Sequence, residues 1–227
     1  MTESRFFFLI PARSGSKGFK NKNIYPWKGK PLIMHSYDYL ISENYSSNQI
    51  IISTDSKQYI DLLMNNGVPK ESLLLRPSCL AEDNVVDYPV ALHAWSYMEE
   101  RNKSKFDFLI LIRPTSPIRP KNIIEKGLNI MYKNKSFSSL RAMRKVSEHP
   151  YRIWIKDEKE IAKPLINKIK EPGNIPRQYL EKNYFFQSGE LEICRRETLQ
   201  SGSISGDNVG IIEIEDSNPD IDSIDDI

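Results

Sequence analysis

The sequence predicts a three-layer α/β protein in which helices cover both faces of a mostly parallel β-sheet. Apolar runs of strand length recur at 6–10, 49–55, 73–75 and 106–112, and a loop and a helix-like stretch follow each of them. Because this order repeats without an internal sequence repeat, we expect parallel strands joined by crossover helices. At 227 residues, the chain is long enough for one large core with a small appended arm.

The composition is typical of a soluble globular protein, with 39% hydrophobic and 27% charged residues. The formal net charge of +2 gives no reason to expect nucleic acid or a membrane as a partner. The apolar run at 6–10 is too short for a signal peptide, and no stretch approaches membrane-spanning length. Cys79 and Cys194 are far apart and form no C-x-x-C pair. We therefore expect a cytoplasmic protein with reduced thiols.

The first predicted strand ends at Pro11 and leads into a loop rich in glycine, serine and basic residues. In open α/β sheets, ligands bind beyond the carboxyl ends of the strands, which is where this loop lies. Gly15 and Gly18 let the backbone approach an anion closely, and Arg13 and Lys17 add positive charge. The loop is neither a P-loop nor a G-x-G-x-x-G motif. It indicates binding of a phosphate chain, and a solvated surface turn is the alternative.

Charge is distributed unevenly between the two ends of the chain. Seven basic residues and one acid lie within 1–30, whereas eight acids and no base lie within 207–227. Asp220 and Asp222 stand at i and i+2, so on an extended backbone their carboxylates point to the same side and suit one hard divalent cation. The alternative is a helix N-terminus at which Asp222 caps a turn containing Asp225 and Asp226. If the two ends converge, a polyphosphate and its metal could lie between them.

After the basic loop, the sequence predicts a helix, a buried strand and a second helix. Pro31 opens a helix that runs to about Ile41, in which His35 is either a ligand or, as we favour, a packed side chain. The strand at 49–55 ends in Asp55, which we interpret as the N-cap of the helix from Ser56, with a ligand contact as the alternative.

Two further strands are followed by proline-containing loops. The strand at 73–75 leads into Arg76 and Pro77 and then to Asp83, which could cap a helix over 84–100. The run at 106–112 predicts the central strand, and Pro114 and Pro117 make the bend after it rigid.

From residue 138 the pattern changes. Strands are predicted at 139–143, 185–193 and 210–214, and a hairpin-like pattern at 151–162 precedes an irregular stretch at 169–182. We divide the chain into a core of 1–140 with 188–227 and an arm of 141–187. An ordinary surface excursion is an equally open interpretation of the arm.

Several motifs resemble, in order, those of the CMP-sialic acid synthetase family, the acylneuraminate and legionaminate-type cytidylyltransferases. They span nearly the whole chain: the basic loop with Gly29-Lys30-Pro31-Leu32, R-P and then L-A-x-D over 76–83, P-T-S-P-I-R over 114–119, R-Q at 177–178 and D-I-D-S over 220–223. The resemblance implies a Rossmann-like nucleotidyltransferase fold. It also implies a homodimer in which the arm reaches the active site of the partner.

The same resemblance implies that CMP passes from CTP to a hydroxyl of an acidic keto-sugar with Mg²⁺, for a surface polysaccharide. The implied catalytic residues are Arg13, Lys17 and Asp222. The implied metal ligands are Asp220 and Asp222. The implied nucleotide contacts are Ala12, Arg13, Ser14, Gly15, Ser16, Lys17, Asn23, Arg76 and Asp83. The implied substrate contacts are Arg113, Thr115, Ser116, Arg177, Gln178 and Gln187.

The chain departs from the family pattern at two positions. Phe186 stands where the family has an arginine that grips the acidic substrate, and Arg113 stands where many members have glutamine. Arg113, Arg141 or Arg144 could supply the missing charge. A nine-carbon acid is the first candidate acceptor, an eight-carbon keto acid the second, and a phosphonate or other small anion the third. A nucleotidyltransferase for sugar phosphates and a catalytically idle binding relative are the alternative functions.

Overall fold

The computed structural model describes residues 5–15, 19–181, 183–215 and 220–226. The chain forms two compact units, which we call the core unit (Met1–Ala142 with Ser188–Ile227) and the arm unit (Met143–Gln187). In these described ranges, no helix has both the length and the apolar character needed to cross a bilayer.

The strands and helices follow the predicted alternation. The strands are β1 (Phe6–Pro11), β2 (Pro26–Trp27), β3 (Lys30–Pro31), β4 (Ile50–Thr54), β5 (Leu73–Leu75), β6 (Phe108–Leu111), β7 (Ser139–Lys145), β8 (Trp154–Lys156), β9 (Ala162–Pro164), β10 (Phe185–Arg195) and β11 (Val209–Glu213). The helices are α1 (Leu32–Ser42), α2 (Lys57–Asn65), α3 (Asp87–Asn102), α4 (Ile123–Lys133) and α5 (Arg196–Gln200).

Within the described residues, seven strands form one sheet in the order β11-β7-β10-β6-β1-β4-β5. β1 pairs in parallel with β4 and with β6, and β4 pairs in parallel with β5. β10 is antiparallel to β6, with Glu192 opposite Leu111. The mostly parallel sheet confirms the predicted fold class, and β6 is its central strand as expected.

Helices cover both faces of the sheet. Side chains alternate along β1, so that Phe8 and Ile10 face a cluster with α1, α2 and α4, while Phe7 and Leu9 face a second cluster with α3 and α5. All four of these side chains are fully buried. A strand buried on both faces has no polar side, which explains why the sequence shows continuous apolar runs instead of alternation.

The starts of two helices correct the sequence interpretation. The N-cap of α2 is Ser56, whose hydroxyl accepts from the Tyr59 N–H at 3.3 Å, so Asp55 is not the cap. α3 begins at Asp87, three residues later than expected, and its N-cap Val86 supplies no side-chain cap. Asp83 therefore does not cap α3, because the chain from 82 to 85 forms a separate turn closed by Val85 N–H to Glu82 C=O at 3.2 Å.

Parallel pairing determines where the loops lie. β1, β4, β5 and β6 run in the same direction, so their carboxyl ends lie along one edge of the sheet. The loops that begin after Pro11, Thr54, Leu75 and Leu111 all leave from this edge. The core unit thus gathers its glycine-rich, acidic and proline-rich loops at the place where open α/β sheets bind ligands.

The arm unit contains the antiparallel pair β8 and β9, in which Trp154 lies opposite Pro164. A short 3₁₀ turn at Pro172–Asn174 packs beside this pair. A Cβ added at Gly173 would lie 3.2 Å from the Trp154 ring, so the turn and this ring are in close contact. The hairpin predicted for this region is present, and its strands begin two to three residues later than the pattern indicated.

Gly127 is the position where α4 touches the sheet most closely. A Cβ at this position would lie 2.8 Å from Leu191 Cδ2 and 2.9 Å from Ile193 Cδ1. We expect Gly127→Val to lower the free energy of unfolding by about 2 kcal/mol, because overpacking forces the helix away from the sheet. Urea denaturation measures this change. Asn129→Val, on the exposed side of the same helix, is the matched control and should change the value by less than about 0.5 kcal/mol; equal effects would contradict the packing argument.

Candidate functional site

A cavity of about 290 Å³ opens at the carboxyl edge of the core sheet. The loop after β1, the loop after β5, the start of α3 and the bend after β6 supply its walls. Its charged and amide-bearing lining residues are Arg13, Lys22, Asn23, Arg76, Glu82, Asp83, Asp87 and Arg113. The loops that the sequence marked as functional therefore share one cavity.

Asp55 holds the glycine-rich loop in place. Its Oδ1 accepts from the Ser14 N–H at 2.9 Å and its Oδ2 accepts from the Ser14 hydroxyl at 2.8 Å. Burial raises the pKa of Asp55, but the Ser14 hydrogen bonds and the nearby Arg76 outweigh it, so the pKa lies below its ordinary value. The Asn23 amide donates to the Arg13 carbonyl at 2.9 Å, which fixes the far side of the same loop.

Arg13 connects the first loop to the loop after β5. Its Nη1 donates to Asp83 Oδ1 at 3.0 Å and to the Glu82 carbonyl at 3.2 Å. Both side chains remain partly exposed, at 32% for Arg13 and 43% for Asp83. An ion pair of this exposure contributes little to stability. Its effect is to orient the Arg13 guanidinium across the cavity.

Arg76 is the buried cation of the cavity. The residue is 5% exposed, and among the described residues no group accepts a hydrogen bond from its Nε. Burial lowers the pKa of Arg76, whereas the negative charge of Asp55 raises it. A buried donor without an acceptor costs free energy. Because Arg76 also lines the cavity, its positive charge lies where a bound ligand would meet it.

Arg113 is neutralised by two carboxylates. Its Nε donates to Glu192 Oε1 at 2.8 Å and its Nη2 to Asp87 Oδ2 at 2.6 Å. Arg141 Nη2 lies 3.1 Å from Glu192 Oε2, so two arginines and two acids alternate. Burial lowers the pKa of Arg113, but both acids outweigh burial and raise it above its ordinary value. Arg113 is therefore a charge-compensated wall of the cavity and does not add a free cation to it.

Arg119 is a structural residue that sequence reasoning did not place in the site. It is buried and donates from Nε to the Glu190 carbonyl at 2.9 Å, from Nη1 to the Ser36 hydroxyl at 3.2 Å and from Nη2 to the Arg113 carbonyl. Burial lowers its pKa to about 10. These bonds fix both ends of the bend at 113–119. The sequence signal that could have identified Arg119 was its place as the last residue of the motif P-T-S-P-I-R.

A buried isoleucine attaches the acidic C-terminal segment to this edge. Ile221 is 0% exposed and packs with Trp27 and Leu32. Its N–H donates to the Thr115 carbonyl at 2.8 Å, and the neighbouring Asp220 Oδ1 accepts from the Ser116 hydroxyl at 3.3 Å. The acidic segment thus lies beside the bend that follows β6.

Lys22 brings the two ends of the chain together. Its Nζ lies 2.6 Å from Asp222 Oδ1, and Lys22 also lines the cavity. The sequence analysis noted the positive charge of this part of the chain but did not include Lys22 in the site. Only the fold places it opposite an acid 200 positions away.

The two acids of the pair flank the buried Ile221. Asp220 Oδ1 accepts from the Ser116 hydroxyl, whereas Asp222 Oδ1 meets Lys22. In the described ranges, no three His, Cys, Asp or Glu side chains gather around one point, so a cation held here would take its remaining ligands from substrate or water. The capping alternative is wrong: Asp226 Oδ2 accepts from the N–H groups of Asp222 (2.9 Å) and Ser223 (2.7 Å), whereas the Asp222 side chain bonds Lys22.

Gly189 on β10 allows the bend to approach the sheet. A Cβ at this position would lie 2.3 Å from Ser116 Oγ and 3.4 Å from Arg113 Cδ. Ser116 is itself buried and bonded to Asp220. The glycine is therefore required because any larger residue would displace the hydroxyl that holds the acidic segment.

Among the described residues, the other predicted site residues considered next are not in the lining of the cavity. Ser16 and Lys17 lie outside the described residues. Ala12 is buried at the start of the loop, and Gly15 is exposed on it. Arg177, Gln178 and Gln187 belong to the arm unit, the first two in a 3₁₀ turn.

His35 is a packed side chain. Its Nε2 lies 2.8 Å from the Trp27 carbonyl, and its ring meets the Trp27 ring edge-on at 4.8 Å.

Comparison with known proteins gives one family and several relatives. The family model for cytidylyltransferases matches residues 7–145. The chain is 30% identical to the post-translational flagellin modification protein B of Campylobacter coli over 222 residues, which cover 97% of this chain and 91% of that protein. It is 28% identical to the N-acylneuraminate cytidylyltransferase of Streptococcus agalactiae over 84% of its own length, and it spans 43% of that relative.

The chain is also similar to a further curated relative and to a solved structure. The CMP-N,N'-diacetyllegionaminic acid synthase of Legionella pneumophila is 32% identical over 56% of this chain and 53% of that protein. The structure of a CMP:2-keto-3-deoxy-manno-octonic acid synthetase complexed with CTP superposes with a TM-score of 0.65 at 18% identity, covering 97% of this chain and 94% of the other. At that identity the likeness concerns the fold alone.

The Ser14–Asp55 contact makes stability depend on pH. Because the folded pKa of Asp55 is lowered below 3.8, its contribution is complete above that value and is lost as the pH falls through the folded pKa. We expect Asp55→Asn to lower the free energy of unfolding by about 1 kcal/mol at neutral pH, since one Ser14 donor loses a charged acceptor and the site is partly solvated. Urea denaturation at several pH values measures the difference.

The wild type and Asp55→Asn should have equal free energies of unfolding at pH values below the folded pKa of Asp55. Asp61→Asn, on the exposed side of α2, is the control and should leave the neutral-pH stability unchanged. A deficit in Asp55→Asn that stays constant down to strong acid would contradict the assigned role.

Proposed function

Since the chain belongs to the cytidylyltransferase family, we propose that it transfers CMP from CTP to a hydroxyl of an acidic keto-sugar of the nonulosonic type. It is a nucleotidyltransferase of the CMP-sugar synthetase type. The observation that carries the proposal is Arg76, a buried guanidinium with an unpartnered Nε among the described residues, in a cavity that Arg13 and Lys22 also line. A nucleoside triphosphate supplies acceptor atoms and negative charge for such a cavity.

In the proposed reaction, the acceptor hydroxyl oxygen attacks the α-phosphorus of CTP, and its proton passes to solvent water. The bond from the α-phosphorus to the bridging oxygen breaks, and pyrophosphate leaves with the electron pair. Such a transfer needs positioning and charge neutralisation more than a protein nucleophile. Arg13, which Asp83 orients at 3.0 Å, offsets the charge that develops on the bridging oxygen. Lys17 keeps its proposed role on the same phosphates.

The nucleotide contacts divide by position in the cavity. The loop from Ala12 to Lys17 would bind the phosphates, as glycine-rich loops do. Ser14 would support the loop and would not bind the nucleotide itself, because Asp55 accepts from both its N–H and its hydroxyl. Asn23 keeps this loop closed through its bond to the Arg13 carbonyl. Arg76 would bind the base or ribose beside Asp83, because its buried position offers directed hydrogen bonds to a neutral acceptor.

Asp220 and Asp222 would hold Mg²⁺. When bound, such a cation neutralises phosphate charge and orients the leaving group. The support for this role is that the two carboxylates flank an anchored, buried Ile221 and lie beside the bend that follows β6.

The bend and the arm would bind the acceptor. Thr115 and Ser116 lie in the bend beside Asp220, and Arg113, compensated by two acids, would shape the sugar pocket without pairing the sugar carboxylate. That Arg177, Gln178 and Gln187 contact the acceptor at the active site of a partner protomer stays part of the proposal. Within the arm unit, the Arg144 guanidinium lies 5.2 Å from the centre of the Phe186 ring, and we keep Arg144 as the proposed cation for the acid.

The arm unit also supports a homodimer. Several of its large apolar side chains are exposed: Trp154, Ile155, Ile161, Leu165 and Tyr179. A cluster of this kind is typical of a surface that another chain covers. The acceptor proposed first is a nine-carbon acid, as the names of the N-acylneuraminate and legionaminic acid relatives suggest.

A pyrophosphate-release assay tests the function directly. The four nucleoside triphosphates are each combined with a panel of nine-carbon and eight-carbon keto acids and with a sugar 1-phosphate. We expect turnover with CTP alone among the nucleotides and with a nine-carbon acid first among the acceptors. Turnover with UTP and a sugar phosphate, or none with any pair, would overturn the proposal.

Arg76→Met separates a ligand-binding role from a structural one. We expect it to weaken CTP binding by about tenfold or more, since a hydrogen bond to a charged group is lost. Stability should stay equal or rise, because the variant no longer buries a guanidinium whose Nε has no acceptor within the described residues. Calorimetric titration with CTP and urea denaturation measure the two effects. Arg5→Met, on an exposed residue, is the control; a variant that binds CTP normally but is less stable would contradict the role of Arg76.

A further inference from the structure

The Lys22–Asp222 ion pair is asymmetric in its burial. The Lys22 side chain is 12% exposed, whereas that of Asp222 is 71% exposed, and the two charged atoms are 2.6 Å apart. Lys22 also lines the cavity together with Arg13 and Arg76. One cation therefore borders both the proposed phosphate site and the proposed metal site.

We infer that Lys22 is the resident counter-ion of Asp222 in the nucleotide-free protein and exchanges this carboxylate for phosphate oxygens when CTP enters. The inference rests on the proposed function and deepens it. Its consequence is an order of binding: Asp222 accepts a divalent cation only with, or after, the nucleotide.

Electrostatics requires the exchange. An ammonium group 2.6 Å from Asp222 Oδ1 compensates the charge that would attract a divalent cation, and it would repel a cation bound to the same carboxylate. Repulsion between a lysine and a dication at such short range lowers metal affinity by about tenfold or more. Lys22 must therefore leave Asp222 before the acidic pair can bind metal well.

The exchange needs a movement of the Lys22 side chain alone. Its backbone belongs to a short 3₁₀ turn, Lys22–Ile24, and the next residue, Asn23, is buried and bonded to the Arg13 carbonyl. A lysine stem has four rotatable bonds, so its amine can turn from one acceptor to another while the backbone stays fixed.

Asp222 keeps its position when Lys22 leaves. Ile221 is anchored by burial and by its bond to Thr115, and Asp226 holds the turn after Asp222 through two backbone N–H groups. The backbone of Asp222 is thus held by contacts that do not involve Lys22. The triphosphate supplies the new acceptor for the released amine.

The experiment is a titration of the nucleotide-free protein with Mn²⁺, in which electron paramagnetic resonance measures the free ion. We expect the wild-type protein to bind Mn²⁺ weakly and Lys22→Gln to bind it about tenfold or more tightly. Lys20→Gln, in the same loop and exposed, is the matched control and should match the wild type. Adding Asp222→Asn to Lys22→Gln should abolish the gain.

A second variant and a separate assay keep the inference falsifiable. Lys22→Met also removes the charge, and melting curves show whether each variant is folded. Folded Lys22 variants that bind Mn²⁺ no better than the wild type would overturn the inference. Pyrophosphate release by the wild type tests the proposed function independently, so CTP turnover without a gain in Mn²⁺ affinity refutes the exchange alone.

Discussion

The packing of Ile221 decides which residues come together in the site. This side chain near the end of the chain packs with Trp27 and Leu32, which follow the first loop. Removing an isoleucine from water is favourable by about 2 kcal/mol, which is enough to hold a short segment that forms no strand. The two aspartates on either side of Ile221 are thereby presented at the sheet edge that carries the basic loop.

Charge in the cavity is arranged so that most cations already have a carboxylate partner. Arg13 is paired with Asp83, Lys22 with Asp222, and Arg113 with Asp87 and Glu192. A cavity for a highly charged ligand needs positive groups that remain folded and oriented when the ligand is absent, and these partners provide that. Arg76 differs because its Nε has no acceptor within the described residues. Exposed pairs can open at small cost, whereas Arg76 is fixed by burial.

This partly buried ion-pair network explains how the chain accommodates an arginine at the position where many members of the family have glutamine. Arg113 would be costly to bury alone. Asp87 and Glu192 accept hydrogen bonds from it, and Arg141 compensates the remaining charge of Glu192. Gly189 leaves space for Ser116 beside this network. The substitution changes the wall of the cavity, and the charge available to a substrate must come from other residues.

The sequence alone determined the fold class and the loops that form the site. Apolar runs such as the one containing Phe7 and Leu9 are typical of strands buried on both faces, and a parallel sheet places the loops after them at one edge. The basic loop and the acidic pair could be recognised because their chemistry is local. The boundaries of helices were less determined, since Asp83 and Asp55 are good caps by type and were taken by other partners.

Only the tertiary structure decided which charged groups meet. Asp55 bonds Ser14, 41 positions away, Arg113 bonds Glu192, 79 positions away, and Lys22 bonds Asp222, 200 positions away. Any carboxylate can pair with any cation, so residue type does not select the partner; the strand order and the packing of Ile221 do. The physical reason is that an ion pair acts over a few ångströms in space, and local sequence carries no record of that distance.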